Sequence, residues 1–131
     1  KIACQTSDIN KSLQLSQVWG QVLSRMQIDQ RTGLAYSWLT IDDFQRFQVR
    51  LTDFDGITNL ISIGSSLNLG LFLIEYERGK IKGSLRSEPK GGKNVAEIVK
   101  SLGGGGHAYA AGFQQEGTIE TVLKKVLNLI E

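Results

Sequence analysis

The chain has 131 residues, which suffices for one domain whose hydrophobic core needs no disulfide or metal to hold it together. Apolar residues make up 40% and charged residues 21%, a composition that is typical of globular proteins and excludes the disordered and membrane-spanning classes. The 15 basic and 13 acidic residues leave a formal net charge of +2. That charge is too small for nucleic-acid binding through overall charge alone, so any phosphate site must be local.

Two residue types that occur only once limit the kinds of metal site and disulfide that the chain can form. Cys4 is the only cysteine and His107 the only histidine, so disulfide frameworks and Cys/His zinc sites are excluded by count. No stretch approaches the ~18 consecutive apolar residues of a membrane-spanning helix, which favours a cytoplasmic protein without a membrane partner. Because the sequence begins at Lys1 rather than Met, we expect it to be a segment of a longer polypeptide.

The first third of the chain predicts a long helix and a strand. An amphipathic helix from about Ile9 to Ile28 is predicted by six apolar residues at helical spacing: Leu15, Val18, Trp19, Val22, Leu23 and Met26. After a break at Arg31 to Gly33, the segment Leu34 to Leu39 has the composition of a strand, with Tyr36 and Trp38 on one face.

Two short helices are predicted next. Thr40 is placed to cap the first, which has Asp42 and Asp43 in its first turn. The buried side of this helix is expected to carry two aromatic residues, Phe44 and Phe47. Asp53 to Gly56 has the composition of a turn that leads into the second helix.

The remaining elements complete an α/β pattern. Two strands joined as a hairpin are predicted at Leu71 to Ile74 and at Lys80 to Arg86. On the second strand, one face carries Lys82, Ser84 and Arg86. Asn94 is placed to cap a helix, Ala111 to Gln115 can form a strand, and a last amphipathic helix follows. The predicted fold class is therefore α/β, with a mixed central sheet and helices packed on it.

Four consecutive glycines, Gly103 to Gly106, stand between the helix that Asn94 caps and the last predicted strand. Since glycine costs a regular helix or strand about 1 kcal/mol per residue relative to alanine, we expect the run to form a loop that works through its backbone. Converging amides in such a loop attract an anion, so a phosphate or carboxylate is the implied guest. A flexible linker is the alternative, and the position of the run inside one domain argues against it.

Three further residues are candidates for the same site. His107 follows the glycines and is placed either to donate to the bound anion or to pin the loop by bonding a backbone carbonyl. Arg86 has the planar fork that suits phosphate, and Ser84 adds a hydroxyl on the same strand face, although a solvated face would show the same alternation. Lys90 and Lys93 either extend a positive rim or are simply exposed, and exposure is favoured.

At these residues the chain resembles the DHH-associated C-terminal domain of the Asp-His-His (DHH) phosphoesterase superfamily. The signature of that domain, Gly-Gly-Gly-His-x-x-Ala-Ala-Gly-Phe, is matched from Gly104 to Phe113, and the segments Ser84 to Ser87 and Asn94 to Ile98 fall in the family's order and spacing. The resemblance covers about residues 30–131 and implies a substrate-binding domain. Residues 1–29 are expected to form the connecting helix that follows a missing N-terminal catalytic domain.

The resemblance also implies a function. Members of the superfamily hold the substrate between this domain and an N-terminal DHH domain in cis, whose Asp and His residues bind two manganese ions. The branch that looks most similar contains oligoribonucleases that also hydrolyse 3′-phosphoadenosine 5′-phosphate. The implied ligand is a phosphate-bearing small molecule or a short single-stranded RNA or DNA. The residues implied to bind its phosphate or terminal nucleotide are Ser84, Arg86, Gly103, Gly104, Gly105, Gly106 and His107.

The sequence departs from a complete enzyme of this kind. A two-metal hydrolase needs several carboxylates and histidines close together, and the acidic pairs at Asp42 to Asp43 and Asp53 to Asp55 have no histidine partner. We therefore expect no catalytic residue, metal site or cofactor in this fragment, although its parent chain is expected to be a manganese-dependent hydrolase. The alternative is a non-catalytic RNA-binding or interaction module like the end domain of a tRNA synthetase. Both are compatible with a homodimer formed through the stripe Leu15 to Met26.

Overall fold

The computed structural model describes the backbone of residues 2–88 and 93–130 and the side chains of residues 12–88 and 93–130. The predictions for Lys90, for its neighbours from Pro89 to Gly92 and for Lys1 lie outside this part of the chain. A 3₁₀ turn covers Leu51–Phe54. The helices and strands, in chain order, are α1 (Ile2–Ser24), β1 (Gln27–Ile28), β2 (Ala35–Leu39), α2 (Ile41–Arg46), α3 (Ile57–Ile63), β3 (Gly70–Glu77), β4 (Lys80–Arg86), α4 (Val95–Lys100), β5 (Gly105–His107), β6 (Ala110–Glu116) and α5 (Ile119–Ile130).

The strands form one sheet in the order β1-β2-β3-β4-β6-β5. Strands β2 and β3 run parallel, and the other neighbours are antiparallel. This arrangement confirms the predicted mixed α/β sheet with helices packed on it. None of the helices in the described residues is long and apolar enough to cross a membrane.

Each face of the sheet has its own hydrophobic core, because side chains alternate between the two faces along every strand. The core on the side of α4 and α5 is centred on five buried side chains: Leu71, Leu73, Leu85, Val99 and Val126. The core on the side of α1 and α3 is centred on four others: Val18, Ile61, Phe72 and Ile74. The two cores together fix the sheet between two helical layers.

The predicted end of the first helix was wrong. Helix α1 ends at Ser24, and Gln27 and Ile28 form strand β1, which pairs with Tyr36 and Ala35. Met26 lies in the turn between helix and strand, yet it still packs on the same core as the helix. Apolar spacing alone therefore continues past the point where the helix stops.

The predicted helix after Thr40 is confirmed as α2, with Thr40 as its N-cap. The prediction of its buried side was incomplete. Phe44 and Phe47 pack against the core but are only half-buried, whereas Ile41 and Asp43 are buried. A carboxylate takes a buried position here because an arginine from another element reaches it.

An ion pair between Asp43 and Arg25 ties the end of α1 to the start of α2. One Nη of Arg25 lies 2.7 Å from Oδ2 of Asp43 and also donates to the carbonyl of Trp38 at 3.2 Å. The Thr40 hydroxyl donates to the same Oδ2 at 2.9 Å. Burial raises the pKa of Asp43, but the hydrogen bonds from Arg25 and Thr40 outweigh it and hold this pKa below its usual 3.8.

Asp43→Asn should lower the free energy of unfolding at neutral pH by about 1–3 kcal/mol, because the charge-assisted bond to Arg25 is lost. The depressed pKa means that the stabilisation is complete above the usual aspartate pKa and disappears as the pH falls through the lower folded-state value. The variant should therefore lose less stability than the wild type between about pH 5 and about pH 3. Urea unfolding at several pH values measures both effects. The exposed neighbour provides the control, since Asp42→Asn should change stability by at most about 0.5 kcal/mol; equal losses in the two variants would contradict the role of the ion pair.

Candidate functional site

The polar side chains of β4 lie on the α1 and α3 side of the sheet. Helix α3 packs on β2, β3 and β4, and strands β6 and β5 continue the sheet beyond it. Arg86 pairs with Ala110 of β6, which pairs in turn with His107 of β5. The next row of the same face joins Ser84 to Gly112 and Gly105. The register thus brings the predicted residues of β4 and of the glycine segment onto neighbouring strands.

A hollow of about 360 Å³ opens over these rows, and we call it the β4 groove. Its floor is formed by two sets of residues that share this face or its edge: Lys82, Ser84, Leu85 and Arg86 from β4, and Gly105, Gly106, Ala110, Ala111 and Gly112 from β5 and β6. Its wall is formed by residues at the start of α3 and before it: Phe54, Asp55, Gly56, Thr58 and Asn59. His107 is exposed and does not line this groove.

The predicted glycine loop is confirmed for Gly103 and Gly104 but was wrong for Gly105 and Gly106, which form part of a strand. Gly103 ends helix α4 with a positive φ of 76°, and its amide donates to the carbonyl of Lys100 at 3.1 Å. The amide of Gly104 donates to the carbonyl of Val99 at 3.0 Å. These two amides are therefore engaged in closing the helix. Gly105 and Gly106 belong to the edge strand β5, where every second residue directs its backbone groups away from β6.

The glycines are required at two positions by the close approach of β5 to β6. A Cβ on Gly104 would lie 2.3 Å from the carbonyl oxygen of Gly112. A Cβ on Gly106 would lie 2.6 Å from the carbonyl oxygen of Ala110, and the φ of Gly106 is 148°. Gly105 differs, because a Cβ there would meet nothing within 4 Å. The run is thus a closely packed edge strand whose groove side carries no side chain.

The charged residues of the groove are unpaired within the described residues. Within residues 12–88 and 93–130, no hydrogen bond or ion pair involves the side chains of Lys82, Ser84 or Arg86, or that of His107 beside the groove. The carboxylate of Asp55 on the wall is likewise without a partner in residues 12–88 and 93–130. Lys93 lies elsewhere, where its ammonium donates to the carbonyl of Ile130. The groove therefore presents two free cations opposite one free carboxylate.

Sequence reasoning did not find the wall of the groove. Asp55 and Gly56 were predicted only as a turn, and Thr58 and Asn59 belong to α3, which comes into contact with the floor through the fold. Gly112 was part of the motif, but only the register shows that it lies between Ser84 and Gly105. No local pattern could reveal that an acidic turn faces the polar side of β4.

Comparison with known proteins agrees with the motif and the fold. The sequence profile of the DHHA1 domain family, the DHH-associated domain expected above, matches residues 62–131, which is more than half of the chain. The chain belongs to the DHHA1 domain family. The matched segment of this DHHA1 domain includes β4, the glycines and all the predicted site residues. No curated protein sequence matches the chain significantly.

Three solved structures are similar to this DHHA1 domain. An exopolyphosphatase-related protein from Bacteroides fragilis has 28% identity and a TM-score of 0.78, with 89% of this chain and 34% of that chain covered. PggH from Vibrio cholerae, a pGpG-specific phosphodiesterase, has 16% identity and a TM-score of 0.59, with 95% and 41% covered. The C-Ala domain of Aquifex aeolicus alanyl-tRNA synthetase has 13% identity and a TM-score of 0.56, with 74% and 89% covered. The last two show the fold alone. The chain spans about a third of the length of the first.

Gly106→Ala should lower the free energy of unfolding by about 1–3 kcal/mol or more, because the new methyl group requires a strained φ and meets the backbone of β6. Gly105→Ala should change stability by at most about 0.5 kcal/mol, because the space beside it is open. Chemical denaturation of the two variants measures the difference. Equal stability would show that β5 does not pair with β6 as described.

Proposed function

We propose that this chain binds the phosphate or terminal nucleotide of the substrate in a metal-dependent phosphoesterase that hydrolyses short oligonucleotides or nucleoside bisphosphates. The observation that carries the proposal is the guanidinium of Arg86, which is unpaired within the described residues and lies beside the small residues of the floor: Gly105, Gly106, Ala110, Ala111 and Gly112. A guanidinium donates to phosphate through two parallel hydrogen bonds. Ser84, two residues back on the same strand face, adds a hydroxyl donor. An anion fits this groove because no carboxylate of the described residues lies within 4.0 Å of the arginine to pair with it.

The chemical step would belong to another domain. Among the described residues, no group of three His, Cys, Asp or Glu side chains is placed to hold a metal ion. The described residues therefore offer no site for the two manganese ions of the superfamily, which an N-terminal DHH domain in cis would bind. The part played by this chain is to orient the phosphate and to offset its negative charge, which lowers the entropic and electrostatic cost of reaction.

Asp55 supports a nucleotide rather than inorganic polyphosphate as the ligand. Its carboxylate lines the same groove as Arg86 and only accepts hydrogen bonds when it is ionised. Inorganic polyphosphate offers little but negative charge, which this carboxylate repels. A nucleotide presents hydroxyl and amino donors beside its phosphates. The mixture of two cations and one carboxylate therefore suits the oligoribonuclease and nucleotide-phosphatase branch.

A non-catalytic RNA-binding module is the competing function. The likeness to the C-Ala domain concerns the fold alone, and no residue of the groove argues for RNA shape as the recognised feature. The two functions differ in what the ligand must offer. Binding that follows the phosphorylated end of a short strand supports the phosphoesterase domain, whereas binding that follows RNA shape supports the module.

Arg86→Ala should weaken the binding of 3′-phosphoadenosine 5′-phosphate, and of the dinucleotide pApA, by about tenfold or more, since a charge-assisted bidentate contact is lost. Titration of the 131-residue chain by calorimetry measures this loss. Arg78 in the β3–β4 turn is an exposed arginine outside the groove, so Arg78→Ala controls for the change in net charge. Equal affinities of Arg86→Ala and wild type would refute the site.

Asp55→Asn should change the choice of ligand. Without the carboxylate, binding of inorganic tripolyphosphate should strengthen several-fold, because a repulsive charge is removed. Binding of pApA should weaken or stay constant, because an acceptor for its hydroxyl and amino donors is lost. Parallel titrations with the two ligands give the ratio of the affinity for tripolyphosphate to the affinity for pApA. If this ratio does not increase in Asp55→Asn, Asp55 does not contribute to the choice of ligand.

A further inference from the structure

A second cation lies along the same strand as Arg86. Lys82 is half-buried on β4, pairs with Gln114 of β6, and lines the β4 groove. It also lines a second hollow of about 610 Å³, whose other residues are Gly103, Gly104, Gly105, Gly112, Phe113 and Gln114. Because Lys82, Gly105 and Gly112 line both hollows, the two hollows adjoin each other on β4, β6 and β5.

The ammonium of Lys82 is free to bind a ligand. No carboxylate lies within 4.0 Å of it among the described residues, and its cross-strand neighbour Gln114 is neutral. Lys80 offers a contrast on the same strand, because its ammonium lies 3.5 Å from a carboxylate oxygen of Glu77. A lysine whose stem is partly buried keeps its ammonium at the surface, where an anion reaches it.

The spacing between the two free cations selects the ligand. Lys82 and Arg86 are four residues apart on a regular antiparallel strand, so their Cα atoms are separated by about 13 Å. Side chains stand roughly perpendicular to a sheet, so we expect the two charges to keep a similar separation, which is larger than the distance between the two phosphates of one diphosphate. A chain of nucleotides places phosphates at larger intervals along an extended backbone and spans this distance. The two cations therefore match phosphates that belong to different nucleotides of one strand.

We propose that Lys82 forms a second anion subsite that binds an internal phosphate of a linear phosphodiester chain whose terminal phosphate lies at Arg86. This rests on the proposed function and adds a preference for length. A nucleoside monophosphate occupies the Arg86 end only. A strand of three or more nucleotides occupies both ends, with its backbone lying over the bare floor of Gly105 and Gly112.

The test compares ligands of different length on two lysine variants. Lys82→Gln should leave the affinity for AMP unchanged and weaken binding of the tetranucleotide pApApApA by about five- to tenfold. The slope of log K against log salt concentration for the tetranucleotide should become shallower by about 0.7, the value for one phosphate contact in a single strand. Lys80→Gln removes the same charge two residues away. It should leave the affinity for both ligands unchanged, because Lys80 is already paired with Glu77.

The outcomes separate this proposal from the function on which it rests. Suppose that Arg86→Ala weakens the binding of both ligands. The second subsite is then refuted, and the first stands, if Lys82→Gln weakens the binding of neither ligand or weakens AMP binding as much as tetranucleotide binding. If Arg86→Ala weakens the binding of neither ligand, the proposed function itself fails. Linear inorganic polyphosphate is the third ligand. Loss of its binding in Lys82→Gln, with the tetranucleotide unaffected, would overturn the assignment to a phosphodiester chain.

Discussion

The close packing of β5 against β6 is the constraint on which the rest of the site depends. Gly104 and Gly106 approach the backbone of β6 so closely that a methyl group at either position would collide with a carbonyl oxygen. On the other face of the sheet, the ring of Phe113 fills the space over Gly83, where a Cβ would lie 2.1 Å from it. Phe113 therefore anchors β6 in the core next to α4 and α5, and β5 lies beside it with His107 as its only side chain. Since a floor made in this way is flat and bare, the long side chains of β4 reach an anion that rests on it.

The two faces of the sheet have different roles. The side of α4 and α5 buries Leu85 and Phe113 and supplies stability. The opposite side leaves Lys82 and Arg86 without partners, and it does so in a chain whose net charge is only +2. Ion pairs stabilise other parts of the described chain, as between Asp43 and Arg25 and between Glu77 and Lys80. Lys82 and Arg86 instead line a groove with their charges unpaired in the described residues, which leaves both cations available to an anionic ligand.

Periodicity and local turn chemistry predicted most of the fold. The alternation on β4, the cap at Thr40 and the last amphipathic helix were all visible as patterns that depend on neighbours within one element. Strands β1 and β5 were missed because each is two or three residues long, and because glycines carry no side-chain pattern. The burial of Asp43 was missed because its partner Arg25 lies 18 residues away, just after helix α1. The sequence motif predicted Arg86 and the glycines as site candidates. The position of Asp55 on the facing wall was missed, because it results from tertiary packing that residue spacing does not reveal.

The central claim is that one open face of β4, β6 and β5 is an anion-binding surface. Chemical-shift mapping of the ¹⁵N-labelled 131-residue chain during titration with pApA tests it most directly. The claim predicts that the amides that shift most are those from Lys82 to Arg86, from Gly105 to His107 and from Ala110 to Gln114, together with Asp55 and Gly56 across the groove. Shifts centred instead on the cleft of Tyr36, Trp38 and Leu123, on the opposite face of the sheet, would contradict it, as would a titration with no shifts.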